Sequence, residues 1–288
     1  MSSFSCMPLP IGHRDYSRLA PIAQFLEAPN AFGERLTREF PFVVDDMISQ
    51  SLDPTRTGRT NFAQLSPEEK KNLGSLVETR IRDLLGVSRS TRDLLILDED
   101  VDVKNTIGPT WMIPQESYLL PAGKAPGILL LSQYSPQLRS CNLGLIVAHQ
   151  EYLTQGQNRD RKLSVSALGR ANIWWLLREI PLPPDIWAGV NVARLRELRQ
   201  KEGGTKRAAA FFREHLGVRI ERAIVQSLLF DQKDYMKRLR SNGGARDLLR
   251  PLGIALRTED VEYNSTDGGK RWYSFWIAEV SEETKQPL

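Results

Sequence analysis

Cysteine is nearly absent from the 288-residue chain. Cys6 and Cys141 alone are too few for a disulfide framework or a zinc cluster. The three histidines, His13, His149 and His215, are too scattered for a zinc site or a nucleophile–base pair. No apolar run approaches the ~20 residues that span a bilayer. The opening MSSFSCMPLPIGHRDYS lacks the apolar core of a secretory signal. Neither GxxxxGK(S/T) nor GxGxxG occurs, which argues against nucleotide-driven chemistry. Internal repeats and low-complexity tracts are also missing. These absences point to a cytoplasmic protein in a reducing setting, with no membrane partner and no nucleotide cofactor.

What is present is an ordinary globular composition, 41% hydrophobic and 26% charged. At ~100–200 residues per domain, the length suggests two domains. Charge divides them unevenly. Residues 1–177 carry 19 basic and 19 acidic side chains, whereas residues 194–257 carry 16 basic against 7 acidic. Arginine supplies 28 of the 39 cations, the side chain suited to forked phosphate contacts. Solvated helix faces and a nucleic-acid surface both fit this pattern.

The hydrophobic pattern predicts helices over residues 16–26 and up to about 52, with a basic turn, PTRTGRTN, at 54–61. SPEE at 66–69 starts a helix in which Leu73, Leu76, Val77, Ile81, Leu84 and Leu85 recur at helical spacing before Gly86. Apolar or alternating runs at 94–97, 101–103, 127–133 and 143–149 read as strands. Helix returns over 167–177. The break IPLPP at 180–184 sets the domain boundary, giving residues 1–178 and 179–288; Gly203-Gly204 is the competing place. Beyond it, helical stretches at 207–216, 218–230, 231–240 and 245–250 precede strands at 253–257 and 272–280, the order of a winged helix-turn-helix. The tryptophans at 174, 175, 187, 272 and 276 read as core or interface residues.

The chemically loaded stretch is DLLILDEDVDVK at 93–104. Side chains two apart on a strand share a face, so Asp100, Asp102 and Lys104 point one way and Val101 and Val103 the other. Carboxylates beside an ammonium suit phosphodiester hydrolysis, because oxygen ligands hold Mg2+ while the lysine orients or deprotonates a water. Glu78 on the preceding helix offers one more acid. Spacing alone does not separate this reading from a solvated acidic turn.

Several stretches together resemble the NaeI family of type II restriction endonucleases. They are TGRTNFAQL (57–65), EK (69–70), GSLVE (74–78), VDVK (101–104), WMIPQES (111–117), NRDRK (158–162), GR (169–170), DYMKRLRSNGGAR (234–246) and LRPLGI (249–254). The resemblance implies a homodimeric double-stranded DNA endonuclease. Its N-terminal domain would be α/β, a restriction-endonuclease-like mixed sheet flanked by helices. Its C-terminal domain would be mainly helical and would bind a second DNA site as effector. Position by position, the resemblance assigns Glu78, Asp93 and Asp102 to a Mg2+ ion and Lys104 to catalysis. Val103 stands where the family has cysteine, and Asp98, Glu99 and Asp100 are additional acids, of which Asp100 competes for the metal.

Candidate DNA contacts fall in three groups. Arg56, Arg59 and Asn61 are placed beside the nuclease cleft, and Asn158, Arg159, Arg161 and Lys162 offer base-edge and phosphate donors. Lys237, Arg238, Arg240, Arg246 and Arg250 flank the turn Asn242-Gly243-Gly244, whose N–H groups are placed to meet a phosphate at a helix start. Two other readings stay open: a DNA-binding regulator with an inactive nuclease domain, and a repair or modification-dependent endonuclease on the same scaffold.

Overall fold

The computed structural model describes residues 6–119, 121, 123–156, 160–201, 203–264 and 270–281. The chain forms two compact units that separate between Pro183 and Pro184, within the proline-rich break. The first is built mainly from Ser66–Pro183 and the residues up to Ser51. The second takes Pro184–Asn264 and the chain from Lys270, and also Leu52–Leu65. No helix among the described residues is long and apolar enough to cross a membrane.

In chain order the first half carries helices α1 (Tyr16–Glu27), α2 (Leu36–Leu52), α3 (Pro54–Thr57) and α4 (Pro67–Leu85). Then follow β1 (Leu94–Ile96), β2 (Glu99–Thr106), β3 (Met112–Ile113), α5 (Gln115–Tyr118), β4 (Ile128–Ser135), β5 (Ser140–Val147), β6 (Leu163–Ser164), α6 (Ala167–Ala171) and β7 (Trp174–Pro181). Helix α4 starts where the sequence places it. Ser66 accepts the Glu69 N–H, the Glu69 carboxylate accepts the Ser66 N–H, and Gly86 ends the helix at φ +64°. Its buried stripe is Leu73, Val77 and Ile81.

Five strands form a mixed sheet in the order β1-β2-β4-β5-β7. Only β2 and β4 run parallel. Residues 128–131 are buried without interruption, as expected of a strand covered on both faces. Leu129, Leu131 and Ile146 belong to a cluster with Trp111, Ile113 and Tyr118, while α4 packs against β2 and α1 against β5 and β7.

The helix expected over 167–177 stops at Ala171. Asn172 closes it, and residues 174–181 become the strand β7, paired antiparallel to β5. Trp174, Leu176, Leu177 and Ile180 are buried there, so covering the sheet edge overrides the helical pattern.

The second unit continues with α7 (Val192–Arg199), α8 (Gly204–Glu214), β8 (Ile220–Glu221), α9 (Arg222–Leu228), α10 (Ala245–Leu249), β9 (Ile254–Asn264) and β10 (Lys270–Val280). Its sheet order is β8-β10-β9, antiparallel throughout. Phe211, Phe212, Ile224, Leu228, Leu249 and Trp276 share its core. Two expected helices shrink. The one over 218–230 begins only at Arg222, after Ile220 has paired with Trp276, and residues 231–240 hold just a 3-10 turn at Met236–Arg238. Helix α7, against which α3 packs, adds an element that the hydrophobic pattern does not predict.

Candidate active site and nucleic-acid interface

The β1–β2 hairpin brings two carboxylates together. Leu94 pairs with Val101 and Ile96 with Glu99, leaving Leu97 and Asp98 as a two-residue turn. Both have positive φ, 50° and 64°, the sense that matches the strand twist. This register continues to Asp93, whose Oδ2 accepts the Val103 N–H at 2.7 Å. A slip by one residue would send Asp102 to the opposite face.

On β2, Asp102 lies opposite Leu129 and Lys104 opposite Leu131, so both share the face of the Trp111 cluster. Asp102 is only 7% exposed. Lys104 Nζ donates to its Oδ1 at 2.6 Å, and Ser117 Oγ donates to its Oδ2 at 3.4 Å. Burial raises the Asp102 pKa above the usual carboxylate range, and a hydrogen bond to Asp93 adds to the rise, against the pull of Lys104. Asp93 and Asp102 thus lie close together, with one ammonium on Asp102. Hard oxygen donors crowded so closely suit a divalent cation, which would relieve their mutual repulsion.

Asp100 points to the same side of the strand but is otherwise engaged. Hydrogen bonds from Ser90 and Thr91, the latter 2.9 Å from Oδ2, hold its carboxyl below the ordinary range. Glu99 pairs with Arg18 of α1 at 3.2 Å. Glu78 sits on α4, whose Gly74 faces Asn105 on the valine side of β2; its carboxylate meets Arg82, one turn on, at 3.1 Å. Among the described residues no three His, Cys, Asp or Glu side chains converge as a metal cage. Asp93 and Asp102 are therefore the donors the fold itself unites.

The family model for restriction endonuclease NaeI matches residues 22–264. The type II restriction enzyme NaeI of Lentzea aerocolonigenes is 32% identical over 225 residues, covering 74% of this chain and 68% of that protein. The chain belongs to the NaeI restriction endonuclease family.

The candidate DNA contacts of this NaeI-family chain are dispersed. Arg56 lies on α3, paired with Asp53 at 3.0 Å, and Arg59 and Asn61 follow it; all three belong to the second unit rather than to the sheet unit in which the cleft was expected. The reason is that α3 packs on α7, and Gly58, at φ +79°, leaves room for the Arg196 guanidinium. Asn61 uses its side chain as a cap, accepting the Ala63 N–H at 2.8 Å. Asn158 and Arg159 lie outside the described residues. Arg161 is exposed and in the first unit, as is the half-buried Lys162.

In the second unit Lys237, Arg240 and Arg250 are exposed, while Arg238 donates to Gln232 Oε1 at 2.7 Å. Arg246 is engaged within the fold. Its Nε donates to the Leu256 carbonyl at 2.9 Å and its guanidinium lies 5.5 Å from the Trp276 ring centroid. One N–H of the glycine turn expected to meet a phosphate is taken within the fold, since Asp247 Oδ2 accepts the Gly243 N–H at 2.6 Å. Trp276 is buried, whereas Trp272 is 62% exposed on the β9–β10 hairpin.

Sequence reasoning did not single out Ser117 or Arg92. The signal was present in WMIPQES at 111–117, a stretch that carries the family resemblance without an assigned role.

Proposed function

We propose that this protein is a Mg2+-dependent type II restriction endonuclease that hydrolyses both strands of duplex DNA at a specific sequence. The observation that carries the reading is Asp93 and Asp102 brought together by the hairpin register, with Lys104 on the same face, in a chain of this family. Bound Mg2+ supplies Lewis acidity and lowers the pKa of a coordinated water. Asp93 and Asp102 would hold it through their carboxylate oxygens, and the resemblance adds Glu78, whose carboxylate would have to leave Arg82 to take part. Lys104, paired with Asp102 Oδ1, would orient or deprotonate the attacking water.

The second unit reads as a winged helix-turn-helix, with α8, β8, α9 and α10 followed by the β9–β10 wing. In this reading it binds a second copy of the site as effector, and tethering on one DNA raises the effective concentration of that contact. The protein acts in the cytoplasm as a homodimer, because a two-fold axis matches a palindromic site.

Digestion of unmodified and methylated plasmid, with Mg2+ and with EDTA, tests the reading. Discrete fragments from unmodified DNA, abolished by EDTA, are expected. DNA binding without cutting would favour a regulator, and cutting of methylated DNA alone a modification-dependent nuclease. Equal rates on one-site and two-site plasmids would remove the effector role.

A further inference from the structure

Asp102 has a donor beside each oxygen, a close one at Oδ1 and a longer one at Oδ2 that comes from outside its own strand. Ser117, on the one-turn helix α5, is fully buried, and its hydroxyl reaches Asp102 Oδ2 at 3.4 Å. A buried serine hydroxyl needs a partner, and a nearby carbonyl normally serves. This one is directed to a carboxylate by contacts on its own backbone. The Ser117 N–H donates to the Pro114 carbonyl at 3.1 Å, and the Ser117 carbonyl accepts the Gly127 N–H at 2.9 Å.

Its neighbour is held too. Arg92, the residue before Asp93, donates from Nη2 to the Glu116 carbonyl at 3.1 Å. The guanidinium passes directly over Gly127, where a side-chain carbon would collide with it. Its Nη1 is buried there with no hydrogen-bond partner among the described residues. The segments leading into β1 and β4 are thereby tied to α5 around a single carboxylate.

We propose that Ser117 is a positioning residue, held by Gly127 and Arg92, that fixes the Asp102 carboxylate in the orientation needed to bind the divalent cation. The inference rests on the nuclease reading above. With Oδ1 paired to Lys104 at 2.6 Å, the hydroxyl is the contact at Oδ2 that would restrain rotation of the carboxylate plane. The missing side chain of Gly127 leaves the space in which the Arg92 guanidinium lies.

The experiment is a Mn2+ titration of the full-length protein, followed by electron paramagnetic resonance, alongside Tm in EDTA and single-turnover cleavage. Ser117→Ala is expected to weaken Mn2+ binding about tenfold, the loss of one hydrogen bond to a charged group. Affinity for DNA in EDTA should stay close to wild type, while Tm falls modestly because the contact is present without the cation. Arg92→Ala, at a partly exposed position, should weaken Mn2+ in the same direction by about threefold; it decides the matter if Ser117→Ala does not fold. Wild-type Mn2+ affinity in the folded variants, whatever happens to Tm, overturns the proposal. Absence of Mn2+ binding by the wild type would instead overturn the nuclease reading itself.

Discussion

Lys104 Nζ stands 2.6 Å from Asp102 Oδ1, two residues along one face of the same strand. That spacing gives the ammonium a fixed counter-ion before substrate arrives and a short path to water afterwards. Lys104→Ala should therefore lower the single-turnover cleavage rate by about 10²- to 10⁴-fold, the range for a lost acid–base group. DNA affinity in EDTA should change little. A loss confined to DNA affinity would make Lys104 a phosphate contact only.

The raised pKa of Asp102 has a defined sign in stability. Its protonated form is favoured in the folded state by burial and by Asp93, so the folded protein binds more protons than the unfolded chain. The associated stability is present below the ordinary carboxylate pKa and is lost as pH rises through the folded value. Asp102→Asn, neutral at every pH, should raise Tm over wild type at pH 7 in EDTA, with the gain shrinking as pH falls through the raised folded value and gone once pH is below the ordinary carboxylate pKa. Thermal melts at several pH values check this. Cleavage should follow the opposite course and fall as Asp102 takes up its proton, because the cation needs the ionised form.

The two-residue turn is where the site's register is decided. Leu97 sits at φ 50° and is 57% exposed, a conformation a leucine adopts with strain. Leu97→Gly should keep full cleavage and alter stability by less than about 1 kcal/mol, since relief of strain offsets the freedom gained by the unfolded chain. Leu97→Pro, locked near φ −65°, should lose both stability and cleavage. Tm and plasmid nicking read the two effects.

Arginines in the basic stretch separate by their partners. Arg240→Ala and Arg250→Ala should leave Tm unchanged and each reduce the slope of log K against log salt by about 0.9, as for one lost phosphate contact. Arg246→Ala should lower stability by about 1–2 kcal/mol, because it strips the Leu256 carbonyl and the Trp276 face of their partner. DNA-binding isotherms at several salt concentrations, beside thermal melts, distinguish the classes.

Local signals carried much of the fold. The Ser66–Glu69 capping box and the Leu73, Val77, Ile81 stripe are complete within α4, and alternation along β2 put Asp102 and Lys104 on one face. What stayed hidden depends on distant partners. Residues 174–177 read as the end of a helix until β5 supplies the ladder they close, and residues 54–61 read as a basic turn until α7 supplies the surface for α3. Ser117 shows the same limit at the site: sequence places it 15 residues beyond Asp102, and only the fold of α5 back onto β2 sets its hydroxyl on that carboxylate. Arg246 looks like a DNA contact in the sequence because its carbonyl and indole partners lie 10 and 30 residues away.

The most direct measurement is cleavage of a multi-site plasmid by purified wild-type protein and by Asp102→Ala, each with Mg2+ and with EDTA. Wild type with Mg2+ should give discrete fragments and none in EDTA, while Asp102→Ala should bind the same DNA but cut at least about 10³-fold more slowly. Wild-type-like cutting by Asp102→Ala, or fragments of wild type that persist in EDTA, would contradict the account.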